Sequence, residues 1–334
     1  MGTPAKRSAG ELADLATPMA VRVAATLSLV ERAGSAGTTA EQLAEETGAN
    51  APALRLLLDH LVTVGVFDVD GERYRPTELG AQLHEDAPGG IKPLLDINCS
   101  GGRAELAFVE LLGTITTGAP AYPRRYGTDF WSDLDARPEL RRSFDAHMNW
   151  RFREHAPRIA RGFDRGRFAE ILDVGGGDGT LLAEILRAHP GVRGRVLDVA
   201  ATTAAAAARF SADGLGDRAG VVAGSFFEPL PTGADACLLC DVLHDWDDRC
   251  AREMLAGCRR AVADNGAVVV IEPIRGAGVG TARDLHMLMC FGGREREVDE
   301  IAALASSSGL ELRGRVPVSE GRTALEFASA PSQF

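Results

Sequence analysis

The stretch "CDVLHDWDD", residues 240–248, brings one histidine and four carboxylates together. Three kinds of chemistry suit such a set. Carboxylates can ligate a divalent cation. An imidazole, with an ordinary pKa near 6.5, can take a proton from a reacting hydroxyl. Aspartates ahead of a helix can also cap it and complement its dipole. The following "DDRCAREMLAGCRRAVA" reads as a helix, so Asp245 is expected as its N-cap, with Asp247 and Asp248 in its first turn. Asp241 falls at a loop or strand end.

A second candidate is "LDVGGGDGT", a glycine loop between a strand and a helix. Glycines there let backbone approach a ligand at the carboxyl edge of a sheet. The pattern is G-x-G-x-G, Gly175, Gly177 and Gly179. The dinucleotide fingerprint would need glycine at position 180, which is Thr180. A phosphate loop would need G-K-[ST], which does not follow. Asp198 ends the next strand about 20 residues on, where a carboxylate can take both hydroxyls of a ribose. "GSFFEPLP" follows the third strand and brings Ser225 and Phe226 to the same edge. Phe226 suits a purine face or the core, and Ser225 suits the purine's polar edge.

These residues need a sheet to position them. "AEILDV", "GRVLDV", "AGVVAG", "ADACLLC" and "GAVVVIE" read as buried strands, separated largely by helical segments such as "DGTLLAEILRAHP" and "TTAAAAARF". That alternation predicts an α/β fold with a doubly wound, mostly parallel sheet. "LELRGRVPVSEGRTALEFA" reads as two strands turning at Glu320-Gly321, an antiparallel edge.

The chain's first part is different. "LADLATPMAVRVAATLSLVERA" has apolar residues at helical spacing and reads as buried, in part against a partner chain. Thr39 can cap a short helix ending at Gly48, and Pro52 opens a second through Leu61. "VFDVDGERYRPT" alternates around Asp70-Gly71, a hairpin signal. Helix, turn, helix and hairpin make a winged-helix pattern. A DNA reader would carry a basic second helix. Here Arg55 and His60 stand with Asp59, after Glu41, Glu45 and Glu46, so a structural or dimerising module is expected. The domains expected are residues 1–125, helical and winged-helix-like, and 126–334, the α/β domain.

Bulk properties narrow the functions further. The net charge of −11 opposes nucleic-acid binding. The N-terminus shows no apolar run of a signal peptide, and no stretch is apolar for the ~20 residues of a membrane span. The six cysteines are scattered without a C-x-x-C, as buried thiols in a cytoplasmic protein would be.

Together, "LDVGGGDG", "VLDVA", "GSFFEPLP", "VLHDWDD" and "NGAVVVIEPI" resemble the S-adenosylmethionine-dependent O-methyltransferases related to plant caffeate and bacterial polyketide methyltransferases. The likeness covers nearly the whole chain, since those enzymes carry an N-terminal winged-helix dimerisation domain. "LATPMAVRVAATLSLVE", "APAYPRRYGTDFW" and "FGGREREVDE" look most like bacterial members that methylate naphthoates, anthraquinones and anthracyclines. The resemblance implies a homodimer that methylates a phenolic hydroxyl of a small aromatic substrate and releases S-adenosylhomocysteine. It implies Gly175 at the methionine end of the cofactor, with Gly177 in the same loop. It further implies Asp198 on the ribose, Ser225 and Phe226 at the adenine, and Cys240 beside the sulfonium. Arg141 matches a family arginine that pairs with the cofactor carboxylate.

In the resembling enzymes the histidine matching His244 is the general base. Glu272 and Glu295 match glutamates that flank it. Asn98, Phe144, Met148, Met287 and Phe291 fall at family substrate positions. The smaller, metal-dependent catechol methyltransferases lack this N-terminal domain, and helix-start aspartates fan out rather than converge, so no metal is expected. Two alternatives remain: a relative that binds the cofactor but hydroxylates or decarboxylates, and a winged-helix transcription regulator.

Overall fold

A computed structural model describes residues 8–162, 167–276 and 281–330. Residues 1–7 of the stretch inspected for a signal peptide lie outside them. The chain divides into two compact units. One holds the described residues up to Leu106 together with Asp133–His147, and the other holds Ala107–Ser132 and the described residues from Met148 onward. The single boundary expected between residues 125 and 126 falls inside a helix, Ala121–Tyr126.

In the first unit the apolar stretch near the N-terminus is three helices, Ala9–Leu12, Ala16–Thr26 and Leu29–Ala33. Ser28, at a left-handed φ of 52°, breaks the run. Within the single chain Leu12, Leu15 and Met19 are exposed. Thr39 caps the helix Ala40–Thr47 through a capping box with Gln42, and Gly48 ends it at φ 71°. Asn50 caps Ala51–Thr63, with Pro52 in its first turn. Leu43, Leu54, Leu58 and Leu61 from these helices close one core with Leu29, Phe67 and Tyr74.

A hairpin follows, β1 Phe67–Asp70 and β2 Arg73–Pro76. Asp70 pairs with Arg73, so the two loop residues are Gly71 and Glu72, one position later than the Asp70-Gly71 signal suggested. Gly71, at φ 61°, takes the positive dihedral that a tight hairpin turn demands.

The second unit is built on seven strands: β3 Glu170–Val174, β4 Arg193–Asp198, β5 Ala219–Ala223, β6 Ala234–Cys240, β7 Val262–Pro273, β8 Leu310–Ser319 and β9 Arg322–Ser329. Their order is β5-β4-β3-β6-β7-β9-β8. The first five run parallel, and β9 and β8 add antiparallel at one side, turning at Glu320-Gly321 as expected. Alternate residues feed two cores. Leu172, Val174, Leu239 and Val270 meet the helices Asp248–Ala261 and Val298–Ser306. Ile171, Val196, Leu238 and Ile271 meet Thr180–Ala188 and Ala200–Ala212 on the other face. The order reverses between β3 and β6, so their carboxyl ends open a crevice.

The glycine loop sits at that edge, and Gly179 shows why it is glycine. Its φ is +75°, and a Cβ there would lie 2.5 Å from the Phe210 ring. Gly179→Ala is therefore expected to lose about 1–2 kcal/mol for the left-handed backbone alone, and more for the clash. Gly216→Ala, with nothing within 4 Å of its Cβ, should be neutral or gain about 0.4–1 kcal/mol. Chemical denaturation of the two variants checks the contrast, and equal midpoints would remove the steric argument.

Candidate active site

At the end of β6 the chain turns sharply. Asp241 takes φ 53°, unusual for a residue other than glycine. Its carboxylate is gripped by Arg322, whose Nε and Nη2 donate at 2.9 and 2.6 Å. Both side chains are buried. The next residues form one 3-10 turn, Leu243–Asp245, with His244 at its centre.

Glu272, in β7 and 2% exposed, holds that turn. Its Oε1 accepts from the backbone N–H of Val242 at 3.0 Å and of Leu243 at 2.7 Å. Its Oε2 meets His244 Nδ1. From the other side Arg296, buried, donates to the carbonyls of Leu243 at 2.8 Å and Trp246 at 2.7 Å, and to Asp248. Gly293 comes so near that a Cβ would sit 2.1 Å from the His244 carbonyl oxygen. The imidazole is therefore fixed through its own Nδ1 and through the backbone on both sides of it. Its Nε2 remains, 3.4 Å from Asp245 Oδ1.

Burial, the largest single influence on His244, opposes its charge. Glu272 and then Asp245 outweigh it and push the imidazole up to about 9. Asp245 is itself pushed up to about 6, chiefly by burial, against the pull of the imidazolium. Asp241 stays below the usual carboxylate range, because Arg322 overcomes its burial. Asp241, His244 and Glu272 also place donor atoms within 4.8 Å of one another, a spacing that suits a cation. Those atoms already have partners: Arg322 fills Asp241, and two N–H groups and the imidazole fill Glu272. The cluster is held together by hydrogen bonds within the protein.

Across the crevice, Gly175 and Gly177 have φ of 73° and 60°. A Cβ on Gly175 would lie 2.9 Å from Val242, whereas one on Gly177 meets nothing within 4 Å. Asp198 ends β4 and accepts from the Gly177 N–H at 2.9 Å and the Val199 N–H at 2.7 Å. It ties the loop to the sheet and does not cap the following helix. Phe226 packs edge-on against Trp246 at 5.7 Å and Phe227 at 4.9 Å, while Ser225 Oγ accepts from the Phe227 N–H. Cys240 is the last residue of β6. An open backbone loop, a carboxylate at the next strand end and an aromatic ring beyond it fit the sugar and base of an adenosine cofactor.

Met287 is buried. Phe291 lies in an aromatic cluster, 4.8 Å from Phe130 and stacked at 5.3 Å on Trp131, which in turn stacks on Trp246 at 6.0 Å. Met148 Sδ accepts from Arg151 at 3.8 Å. Arg141, Asn98 and Phe144 belong to the other compact unit. There Arg141 pairs with Asp135 at 2.6 Å, Asn98 is exposed and Phe144 is half-buried.

Three sequence expectations change here. Asp247, not Asp245, caps the helix, accepting from the Cys250 N–H at 2.7 Å. Asp245 is separated from that helix by the 3-10 turn and faces His244 instead. Glu295 is buried, but neither ring nitrogen of His244 contacts it. It lies 3.4 Å from Arg283, so Asp245 is the second acid at the imidazole. Arg296 and Arg322 went unnoticed in the sequence. The only signal there was that each arginine falls next to a motif already singled out, "FGGREREVDE" and the Glu320-Gly321 turn.

Fold and site together define an adenosine-cofactor enzyme with a carboxylate-held histidine at the sheet's edge. The O-methyltransferase domain model matches residues 108–311, and the O-methyltransferase dimerisation domain model matches residues 11–86. The chain belongs to the O-methyltransferase family and is an S-adenosylmethionine-dependent enzyme. It is 47% identical to 2,7-dihydroxy-5-methyl-1-naphthoate 7-O-methyltransferase of Streptomyces carzinostaticus, over 92% of this chain and 93% of that one. It is 40% identical to aclacinomycin 10-hydroxylase RdmB of Streptomyces purpurascens, over 97% and 88%. Among solved structures it matches the O-methyltransferase NcsB1 from neocarzinostatin biosynthesis, in complex with S-adenosylmethionine and 2-hydroxy-5-methyl naphthoic acid. The TM-score is 0.93 at 46% identity, covering 97% and 99% of the two chains. No helix among the described residues is long and apolar enough to cross a membrane.

Glu272 carries the charge that raises the imidazole, so removing that charge should lower it. In Glu272→Gln, whose amide oxygen can still accept from the backbone, the His244 pKa is expected to fall from about 9 toward the ordinary ~6.5. A histidine NMR titration of both proteins measures it, and an unmoved titration would detach Glu272 from the ring.

Proposed function

We propose that the protein transfers a methyl group from S-adenosylmethionine to a phenolic hydroxyl of an aromatic, polyketide-type acceptor, with His244 as general base. The observation that carries this is the fixed imidazole at the carboxyl end of β6: Nδ1 on Glu272 and Nε2 beside Asp245. A phenol is mostly protonated at neutral pH, with a pKa of ~10. A base held at hydrogen-bond reach lets the oxygen attack as a phenolate. Nε2 receives the proton, and Glu272 and Asp245 stabilise the imidazolium that results.

When bound, the cofactor supplies an activated methyl group. Gly175 and Gly177 would let its chain approach the backbone, Asp198 would take the ribose, and Ser225 and Phe226 the adenine. Arg141 is assigned to its carboxylate and Cys240 to the reacting end. Asn98, Phe144, Met148, Met287 and Phe291 would line the acceptor site, where apolar and flexible groups suit a flat ring. The naphthoate methylated by the Streptomyces carzinostaticus relative supports an acceptor of that size.

The working form is a cytoplasmic homodimer, with the N-terminal 125 residues for pairing and the remainder for chemistry. The exposed Leu12, Leu15 and Met19, all within the matched dimerisation region, support a second copy as their cover. The hydroxylase relative raises hydroxylation as a rival. The intact His244–Glu272 pair favours methylation, because proton removal from the acceptor is what that pair is built to do.

His244→Ala should lower turnover ~10²–10⁴-fold while S-adenosylhomocysteine still binds, as calorimetry would record. The wild-type product should gain one methylene equivalent in mass. Unchanged turnover would leave positioning alone as the source of rate, and a gain of oxygen would favour the hydroxylase reading.

A further inference from the structure

Arg151 is a half-buried arginine with no ion pair among the described residues. It lies in the helix Pro138–Gly162, half-buried, and its contact in the structure is the sulfur of Met148 at 3.8 Å. Its neighbour Phe152 lies under the Arg322 guanidinium, 5.7 Å from ring centre to cation, so this part of the helix runs beside the Asp241–Arg322 pair.

The acids around it are already taken. Asp241 is filled by both arms of Arg322, Asp245 faces the His244 imidazole, and Glu295 faces Arg283 at 3.4 Å. The strongest charges on Arg151 are Asp241, Arg283, Arg322 and Asp245, with two cations among four, and burial is the main influence lowering its pKa. A partly buried guanidinium among other cations is costly unless an anion joins it. Two of the four flank His244 or leave β6 just before it, Asp245 and Asp241, and none lies in the glycine loop. A planar fork accepts a carboxylate with two parallel hydrogen bonds.

We propose that Arg151 recognises a carboxylate on the acceptor, so that the preferred substrates are hydroxyaryl acids and not neutral phenols. The inference rests on the acceptor being a hydroxylated aromatic. It adds the charged group that orients the ring while the hydroxyl faces His244. Met148, at one of the expected acceptor positions, is the side chain the guanidinium contacts.

The test uses the full-length protein saturated with S-adenosylhomocysteine, titrated calorimetrically with 3-hydroxy-2-naphthoate and with its methyl ester. The wild type should prefer the acid by about 10–100-fold in Kd. In Arg151→Met the ratio of the two Kd values should fall to within about threefold of one, and Arg151→Lys should keep an intermediate preference. Circular dichroism reports whether each variant is folded; if the Met variant is not, the reduced preference of the Lys variant decides. An equal affinity of the wild type for acid and ester, or a preference that survives in Arg151→Met, would overturn the proposal. So would a loss of S-adenosylhomocysteine affinity in place of naphthoate affinity, which would give Arg151 to the cofactor's carboxylate. Incubation with S-adenosylmethionine separates the two readings: the acid preference without any mass gain would sink methylation and leave carboxylate recognition standing.

Discussion

The site depends on one buried carboxylate. Among the described residues, Glu272 alone hydrogen-bonds both the ring of His244 and the backbone of the turn that carries it. Two N–H donors fix one oxygen, so the other can point only along the line to Nδ1. A buried carboxylate without those donors would be expensive. With them it accepts at both oxygens, and in the neutral imidazole the proton sits on Nδ1. That leaves Nε2, beside Asp245, as the lone-pair nitrogen of that form.

That arrangement is possible because of where β7 lies. β6 and β7 run parallel, with Cys240 opposite Ile271. The residue after Ile271 is Glu272, which stands beside the turn that leaves β6. Asp241 bends the chain at a positive φ, and Arg322, at the start of β9, holds the bend. Since β9 pairs antiparallel with β7, its first residue arrives at the same edge where β7 ends. The antiparallel addition to the sheet thus has a local purpose: it brings a guanidinium to the end of β6, which a parallel strand starting at the opposite edge would not.

Much of this was legible in the chain. The buried strands and the glycine loop announce a doubly wound sheet, because apolar runs alternating with amphipathic helices have few other solutions. Thr39, Gly48 and Pro52 were readable for the same reason: capping chemistry is local, and a few neighbouring residues decide it. What the chain did not disclose is the pairing of charges far apart in sequence. Arg322 and Asp241 are 81 residues apart and Arg296 and Asp248 are 48 apart. No spacing rule links them until the strand order is known. Asp245 was misplaced for a related reason. A string of aspartates before a helix offers several caps, and only the 3-10 turn decides that Asp247 takes the cap while Asp245 turns toward the ring.

The charges around His244 then explain a tension in its role. Acids on both ring nitrogens make the imidazole a stronger base, pushed up to about 9, but a base with that affinity holds its proton at neutral pH. That affinity already includes the neighbouring cations, which limit how many acids act on the ring. Arg322 neutralises Asp241, and Arg283 opposes Glu295, so that only Glu272 and Asp245 act on the ring at contact distance. A cation entering the crevice disfavours the imidazolium, since a like charge nearby always does. Proton affinity in this site is a property of the whole charge set, and the imidazole is the place where it is expressed.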